Sequence, residues 1–175
     1  MKYVTFLVMF VIIFSCAPVR VNYDYEKTTD FKAYKTYNYY ANLNTGMSEL
    51  DTKRLLDALD EVLEAKGYLL SETPDFFIDI QSSEYQETPR NNVGVGLGGT
   101  GGNIGGGISL GIPVGQNKLN RQIVFEFVDE DKNGLFWQAV SESSYSPNAS
   151  PEKREALFKT VVTKVIQGFP PEAKN

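Results

Sequence analysis

The chain has 175 residues, with 17 basic and 22 acidic side chains, no histidine and one cysteine. That length suits one domain with a real core, and 42% apolar against 22% charged residues describes a globular rather than a disordered chain. Imidazole catalysis, imidazole metal ligation and an internal disulfide framework are excluded.

The first segment joins a lone positive charge at Lys2 to an apolar run from Tyr3 to Phe14, interrupted only by Thr5. At 1.5 Å per residue such a helix reaches roughly 18 Å, well short of a hydrocarbon core about 30 Å thick. Residues 1–15 therefore read as a secretory signal peptide, not a spanning helix. The stretch Ile13-Phe14-Ser15-Cys16 resembles the lipobox of bacterial lipoproteins, with an aliphatic residue three before the cysteine and a small one directly before it. Phe14 is bulkier than is usual at its place. The resemblance implies cleavage before Cys16 and attachment of diacylglycerol and an N-acyl chain there, enough acyl chains for stable anchoring. Residues 16–22 then form a lipidated N-terminus and short tether.

What remains keeps every acidic residue and loses only Lys2, so it is more negative than the −5 of the full chain. An acidic domain without a basic run is a poor partner for nucleic acid. Ala17-Pro18-Val19-Arg20 places no aspartate and no acidic cluster beside Cys16. By analogy with lipoprotein sorting, that favours the outer membrane, facing the periplasm, over inner-membrane retention or surface export.

Val19, Val21, Tyr23 and Tyr25 alternate with polar residues, the period of a half-buried strand. Thr28-Thr29-Asp30 predicts a turn, Tyr34 to Tyr40 a tyrosine-rich second strand, and Asn42 to Gly46 a break. A helix is predicted from Glu49 to Lys66. Ser48 caps it, and Glu49 and Asp51 complement its dipole. Its apolar face carries Leu55, Leu56, Leu59, Val62 and Leu63, and Gly67 stops it. Pro74-Asp75 opens a strand from Phe76 to Tyr85, with Phe76, Ile78 and Ile80 on one face and Phe77, Asp79 and Gln81 on the other. Residues 94–115 hold most of the chain's 15 glycines, interspersed with valine, leucine and isoleucine, and read as an insertion. Leu119 to Asp129 and Leu135 to Tyr145 alternate on either side of an Asn133-Gly134 hairpin turn. Ser150-Pro151 begins a last helix whose face follows Ala156, Leu157, Thr160, Val161, Lys164 and Val165, widened by Phe158, Val162 and Ile166. Gly168-Phe169-Pro170-Pro171 ends it.

Two amphipathic helices cannot bury their faces alone. The expected fold is α+β, with both helices packed on one face of a mostly antiparallel or mixed sheet. It forms a single domain over residues 23–171, with the insertion at 94–115 and a tail at 172–175.

The order of motifs resembles the DUF4136 family of bacterial envelope lipoproteins. It starts with Tyr23-x-Tyr25 and Asp30-Phe31-x-x-Tyr34-Lys35-Thr36-Tyr37-x-Tyr39. Lys66-Gly67-Tyr68 and Pro74-Asp75-Phe76 follow, then the hairpin with Phe136-Trp137 and the ending Phe169-Pro170-Pro171. The resemblance covers nearly the whole chain after Cys16. It implies fold and compartment and supplies no active site.

Asp129-x-Asp131-x-Asn133-Gly134 opens like a calcium loop, but the position that needs a bidentate glutamate is Val140, inside a predicted strand. A turn explains it better. Gly96-Leu97-Gly98-Gly99-Thr100-Gly101 fits a dinucleotide pattern, yet more glycines follow it and no helix can begin there. Asp75 and Asp79 share a strand face, the spacing of an acid/base pair without a pocket, nucleophile or metal cluster. There is no nucleophile elbow and no histidine to activate a serine. Asn148-Ala149-Ser150 matches a glycosylation acceptor at a helix cap, where bacterial context argues against its use. Trp137 reads as a core plug. No catalytic residue, metal site or cofactor is assigned.

The leading reading is a non-enzymatic binding or scaffolding module, held to the membrane by its lipid anchor and contacting an envelope protein. One contact surface is the glycine-rich run, represented by Gly96, Gly98, Gly101 and Gly106, whose bare backbone suits strand addition. The other is the tyrosine-rich second strand, where Tyr37 and Tyr39, with Tyr23, Tyr25, Tyr34, Tyr40 and Phe31, could stack on peptidoglycan or polysaccharide rings. The alternative is a cell-wall glycan or small-ligand binder, with a hydrolase further behind.

Overall fold

The computed structural model describes residues 19–87, 92–94, 111–113, 118–132 and 134–172. The signal segment, Cys16 and most of the glycine-rich run, including Gly96, Gly98, Gly101 and Gly106, lie outside the described residues. The strands are β1 (Arg20–Tyr25), β2 (Thr36–Tyr39), β3 (Leu69–Leu70), β4 (Phe76–Glu87), β5 (Asn92–Gly94), β6 (Gly111–Pro113), β7 (Lys118–Asp129) and β8 (Gly134–Ser144). The helices are α1 (Glu49–Ala65) and α2 (Pro151–Gln167).

Six strands form one sheet in the order β1-β8-β7-β4-β2-β3. The β1–β8, β8–β7 and β7–β4 pairs are antiparallel, whereas β4–β2 and β2–β3 are parallel. The sheet is therefore mixed, and the fold is α+β with both helices on one face. Alternation decides that face. Phe76, Ile78 and Ile80 of β4 are buried with Ile123, Phe125 and Phe127 of β7, while Phe77 and Asp79 are half-buried on the far side. Opposite the large β7 residues, β8 supplies Ala139 and Ser141, small enough to admit the helices.

Helix α1 buries Leu55, Ala58, Leu59 and Leu63. Ser48 accepts a hydrogen bond from the Asp51 amide, and Gly67, at φ +90°, takes the left-handed conformation that ends the helix. Helix α2 differs from expectation. Its buried stripe is Phe158, Val161, Val162, Val165 and Ile166, continuing to Phe169, while Ala156 is exposed. The larger residues at i, i+3 and i+4 spacing win the core from the smaller Ala156 and Thr160. Ser150 occupies the cap position without a side-chain cap bond.

Two other differences are local. β2 starts at Thr36 rather than Tyr34, because Phe31–Ala33 forms a 3-10 turn capped by Asp30. β3, two exposed leucines pairing with Thr36 and Tyr37, has no alternation to announce it.

The sheet has two distinct ends. At the Arg20 end β1 begins, β8 finishes and β7 begins. Here β4 and β7 run on together to the Glu87–Lys118 pair. Beyond it Asn92 pairs with Pro113. β5 and β6 form a separate two-stranded antiparallel sheet. At the Tyr25 end lie the 26–35 segment, the α1–β3 corner and the chain after α2.

One buried ionic knot joins α1, α2 and the sheet. The Asp51 carboxylate, 2% exposed, accepts from Arg54 at 3.0 Å, Arg121 at 3.4 Å and Arg154 at 2.7 Å. Arg121 also donates to Glu84 at 2.7 Å and lies 3.7 Å over the Tyr145 ring. Asp51→Ala strands buried guanidinium charge and is expected to destabilise the chain by about 3–5 kcal/mol. Lys53→Ala removes only an exposed pair with Asp57 and should lose roughly 0.3–0.5 kcal/mol. Denaturant unfolding distinguishes them, and equal losses would refute the structural role of the knot.

Candidate functional site

β2 lies inside the sheet, between β4 and β3, which settles the two tyrosines singled out from sequence. Tyr37 points to the helix side and is fully buried, its ring centroid 6.2 Å from that of Phe76. It offers no face to a sugar. Tyr39 is half-buried at the sheet's flank. Their rings meet edge-on at 6.0 Å, and both hydroxyls donate to the same Asp60 oxygen on α1, at 2.8 Å and 2.6 Å. Burial, then the hydrogen bond to Asp60 and its negative charge, push both phenols above the usual tyrosine range. Tyr39 and Asp60 border a shallow groove of about 590 Å³ with Leu43, Thr52, Leu56 and Leu70.

The remaining sequence candidates are structural. Asp75 is tied to the start of β2: its Oδ2 accepts from the Lys35 and Thr36 amides, both at 2.8 Å. Burial opposes ionisation, but these donors hold the carboxyl below its usual range. Asp79 instead accepts from the Ile80 amide and Gln81, so the two aspartates serve separate backbone contacts. Asp129 uses Oδ1 to accept from the amides of Asp131 and Lys132, and Oδ2 to accept from the Tyr34 hydroxyl at 2.8 Å. That is the geometry of a turn. Trp137 is fully buried, and its indole donates to the Gly168 carbonyl at 3.2 Å. Among the described residues, no group of three or more histidine, cysteine or acidic side chains is placed to hold a metal ion, and no helix is long and apolar enough to cross a membrane.

At the Tyr25 end a cleft of about 810 Å³ lies between the 26–35 segment and the chain after α2. Tyr25, Phe31 and Tyr68 line it with Pro170 and Pro171. Phe31 is braced edge-on by Phe169 at 6.1 Å and lies 5.9 Å from Phe136, so this surface is the outer side of the aromatic core. Lys27, Lys32 and Lys35 also line the cleft and are exposed. Asp30, on the same rim, accepts from the Lys32 amide at 3.1 Å.

Sequence reasoning read this segment as a turn and placed Phe31 among the rings that could stack on sugars, without seeing the lysines as part of a site. The available signal was three lysines within nine residues of an acidic chain, interleaved with Phe31. Their union with Tyr68 and the prolines depends on packing between remote segments.

The family described as "Domain of unknown function (DUF4136)" matches residues 21–171. A solved DUF4136 family protein from Bacteroides thetaiotaomicron superposes with a TM-score of 0.54 at 16% identity, covering 87% of this chain and 96% of that one. A PDZ domain protein from Parabacteroides distasonis also gives 0.54, at 11% identity. That alignment covers 99% of this chain, which spans only 41% of the Parabacteroides protein. At these identities the likeness is one of fold. No curated protein matches the sequence.

The shared Asp60 contact has a pH consequence. Both phenols stay protonated in the native state where unfolded tyrosines ionise, near pH 10. Their stabilisation is complete below that pH and is lost as pH rises above it, by about 1.4 kcal/mol per pH unit for each tyrosine. The Tyr37→Phe/Tyr39→Phe chain should be less stable at pH 7 and should lose stability less steeply between pH 10 and 11.5. An unchanged slope in urea melts would refute the coupling.

Proposed function

This chain belongs to the DUF4136 family, and we propose that it is a lipid-anchored, non-enzymatic binding module of the bacterial envelope. In this reading Cys16 carries diacylglycerol and an N-acyl chain, and the domain stands on the periplasmic side of the outer membrane. The observation that carries the reading is how closely the fold follows the lipobox-like cysteine. Val19 is already buried, and its carbonyl accepts from Lys164 at 2.9 Å. Val19 is the third residue after Cys16, and extended chain reaches at most about 3.6 Å per residue. An acylated Cys16 would therefore hold the Arg20 end of the sheet within roughly 11 Å of the bilayer surface.

The glycine-rich run leaves the sheet at that same end, through β5 and β6. Between Asn91 and Asn117 it carries no charged residue. An uncharged, aliphatic and glycine-rich segment beside the anchor suits contact with lipid or with a membrane-embedded envelope protein. The opposite end, with its lysines and aromatic walls, would face the periplasm. This second surface keeps a glycan or small-ligand role open beside the scaffolding one.

Two measurements test the reading. Cys16→Ala should move the chain from the membrane fraction to the soluble periplasmic fraction, and a variant that remains membrane-bound would refute the anchor. Replacing residues 94–115 by a short turn should abolish in-cell crosslinks to membrane partners while leaving the unfolding transition intact. Equal crosslinking by both forms would refute a contact role for the segment.

A further inference from the structure

We propose that the cleft at the Tyr25 end is a binding site for an acidic glycan, a chain of sugar rings bearing carboxylates. The proposal deepens the binding role above but does not need the lipid anchor. The cleft has the volume of a small-ligand site, enough for two or three sugar rings rather than a single ion. Its walls match that ligand in two ways.

Charge is the first. The full chain is net negative at −5, yet Lys27, Lys32 and Lys35 gather at this cleft. None of them is in an ion pair with a carboxylate among the described residues. Asp30 and Glu172 also line the cleft, so positive side chains outnumber negative ones there while the chain as a whole is acidic. Three lysines on flexible stems present separate point charges, suited to carboxylates spaced along a polymer. No arginine fork lines the cleft, as recognition of a compact phosphate would favour.

Shape is the second. Tyr25, Phe31 and the two prolines give flat apolar surfaces, the kind against which the C–H faces of sugar rings pack, with the buried Tyr68 beneath them. Phe31 and Tyr68 are held from behind by Phe169, at 6.1 Å and 5.3 Å, so the surface is formed before any ligand arrives and little ordering is needed.

The test titrates the full chain, in detergent, with trigalacturonate and with neutral maltotriose, followed by calorimetry. Tetraglutamate and inorganic phosphate serve as competing acidic probes. The expected result is saturable binding of trigalacturonate, weakened by salt, with maltotriose at least tenfold weaker. Each of Lys27→Gln, Lys32→Gln and Lys35→Gln should weaken it by about 2–5-fold, and the triple variant should lose more than tenfold without a shift in unfolding midpoint. Equal affinity for the two trisaccharides, or an unaffected triple variant, would overturn the proposal. Tighter binding of tetraglutamate or phosphate would overturn it in favour of a peptide or phosphate site. Running the same titration on Cys16→Ala separates the two proposals: binding that persists in a chain lacking the anchor upholds the cleft whatever the fractionation shows.

Discussion

The ring of Phe76 is the point through which the fold is assembled. Phe127 stacks on it at 5.0 Å, and Tyr34, Phe136, Phe169 and Tyr68 close around it within 6.2 Å. Those side chains come from β7, β8, the segment before β2, the α1–β3 corner and the turn after α2. A fully buried aromatic cluster of this size dominates local packing energy. It also fixes where five chain segments end, and the cleft lies directly outside it. Phe31 and Tyr68 are the outermost rings of the cluster, packed against Phe169 on one side and lining the cleft on the other. The site inherits its rigidity from the core.

Two carboxylates of α1 set how the helix sits on this core, each by a different chemistry. Near the first turn, Asp51 collects three guanidinium groups from α1, β7 and α2. Near the last, Asp60 collects two phenols from β2. Apolar stripes alone permit a helix to slide or rotate on a sheet at little cost, because many aliphatic contacts are interchangeable. A carboxylate with directional partners at either end, buried at Asp51 and half-buried at Asp60, does not, since displacement leaves it unpaired. The remaining acids of α1 stay in solvent, where Glu61 pairs with Lys159 at the surface. The Lys66 ammonium, lowered in pKa by burial, donates to the carbonyls of Ile166 and Phe169 and draws the ends of both helices together.

The strands and helices were legible because their signals are local. Period-two alternation identified β1, β4, β7 and β8, and the Ser48 cap with Gly67 bracketed α1 to within a residue. What failed to show was relational. Tyr37 fits either face of a strand, and only the position of β2 between β4 and β3 decides that it is core. Asp51 reads from sequence as an ordinary dipole-complementing acid, because its partners Arg121 and Arg154 lie 70 and 103 residues away. The cleft joins residues near 30, 68 and 170 through aromatic packing, and no local pattern records that union. Ala156 misled for a related reason: in α2 several stripes satisfy helical spacing, and side-chain volume selects among them.

The two ends of the sheet pose opposite physical problems, which the proposed short tether would reconcile. The chain as a whole is acidic, so an acidic polymer approaching from a distance meets repulsion, while the three lysines attract it only at close range. At physiological ionic strength the field decays over about 8 Å, so the local lysines prevail inside the cleft and the net charge matters mainly for encounter. The expected outcome is a slow, modest association in free solution. A lipid anchor changes the arithmetic, because confinement to one surface raises the effective concentration of domain and polymer without any new contact. An anchor at Cys16 and the cleft would thus be coupled through geometry alone: the anchor would hold the Arg20 end near the bilayer and leave the lysines at the opposite, Tyr25 end of the sheet, where an envelope glycan would be met.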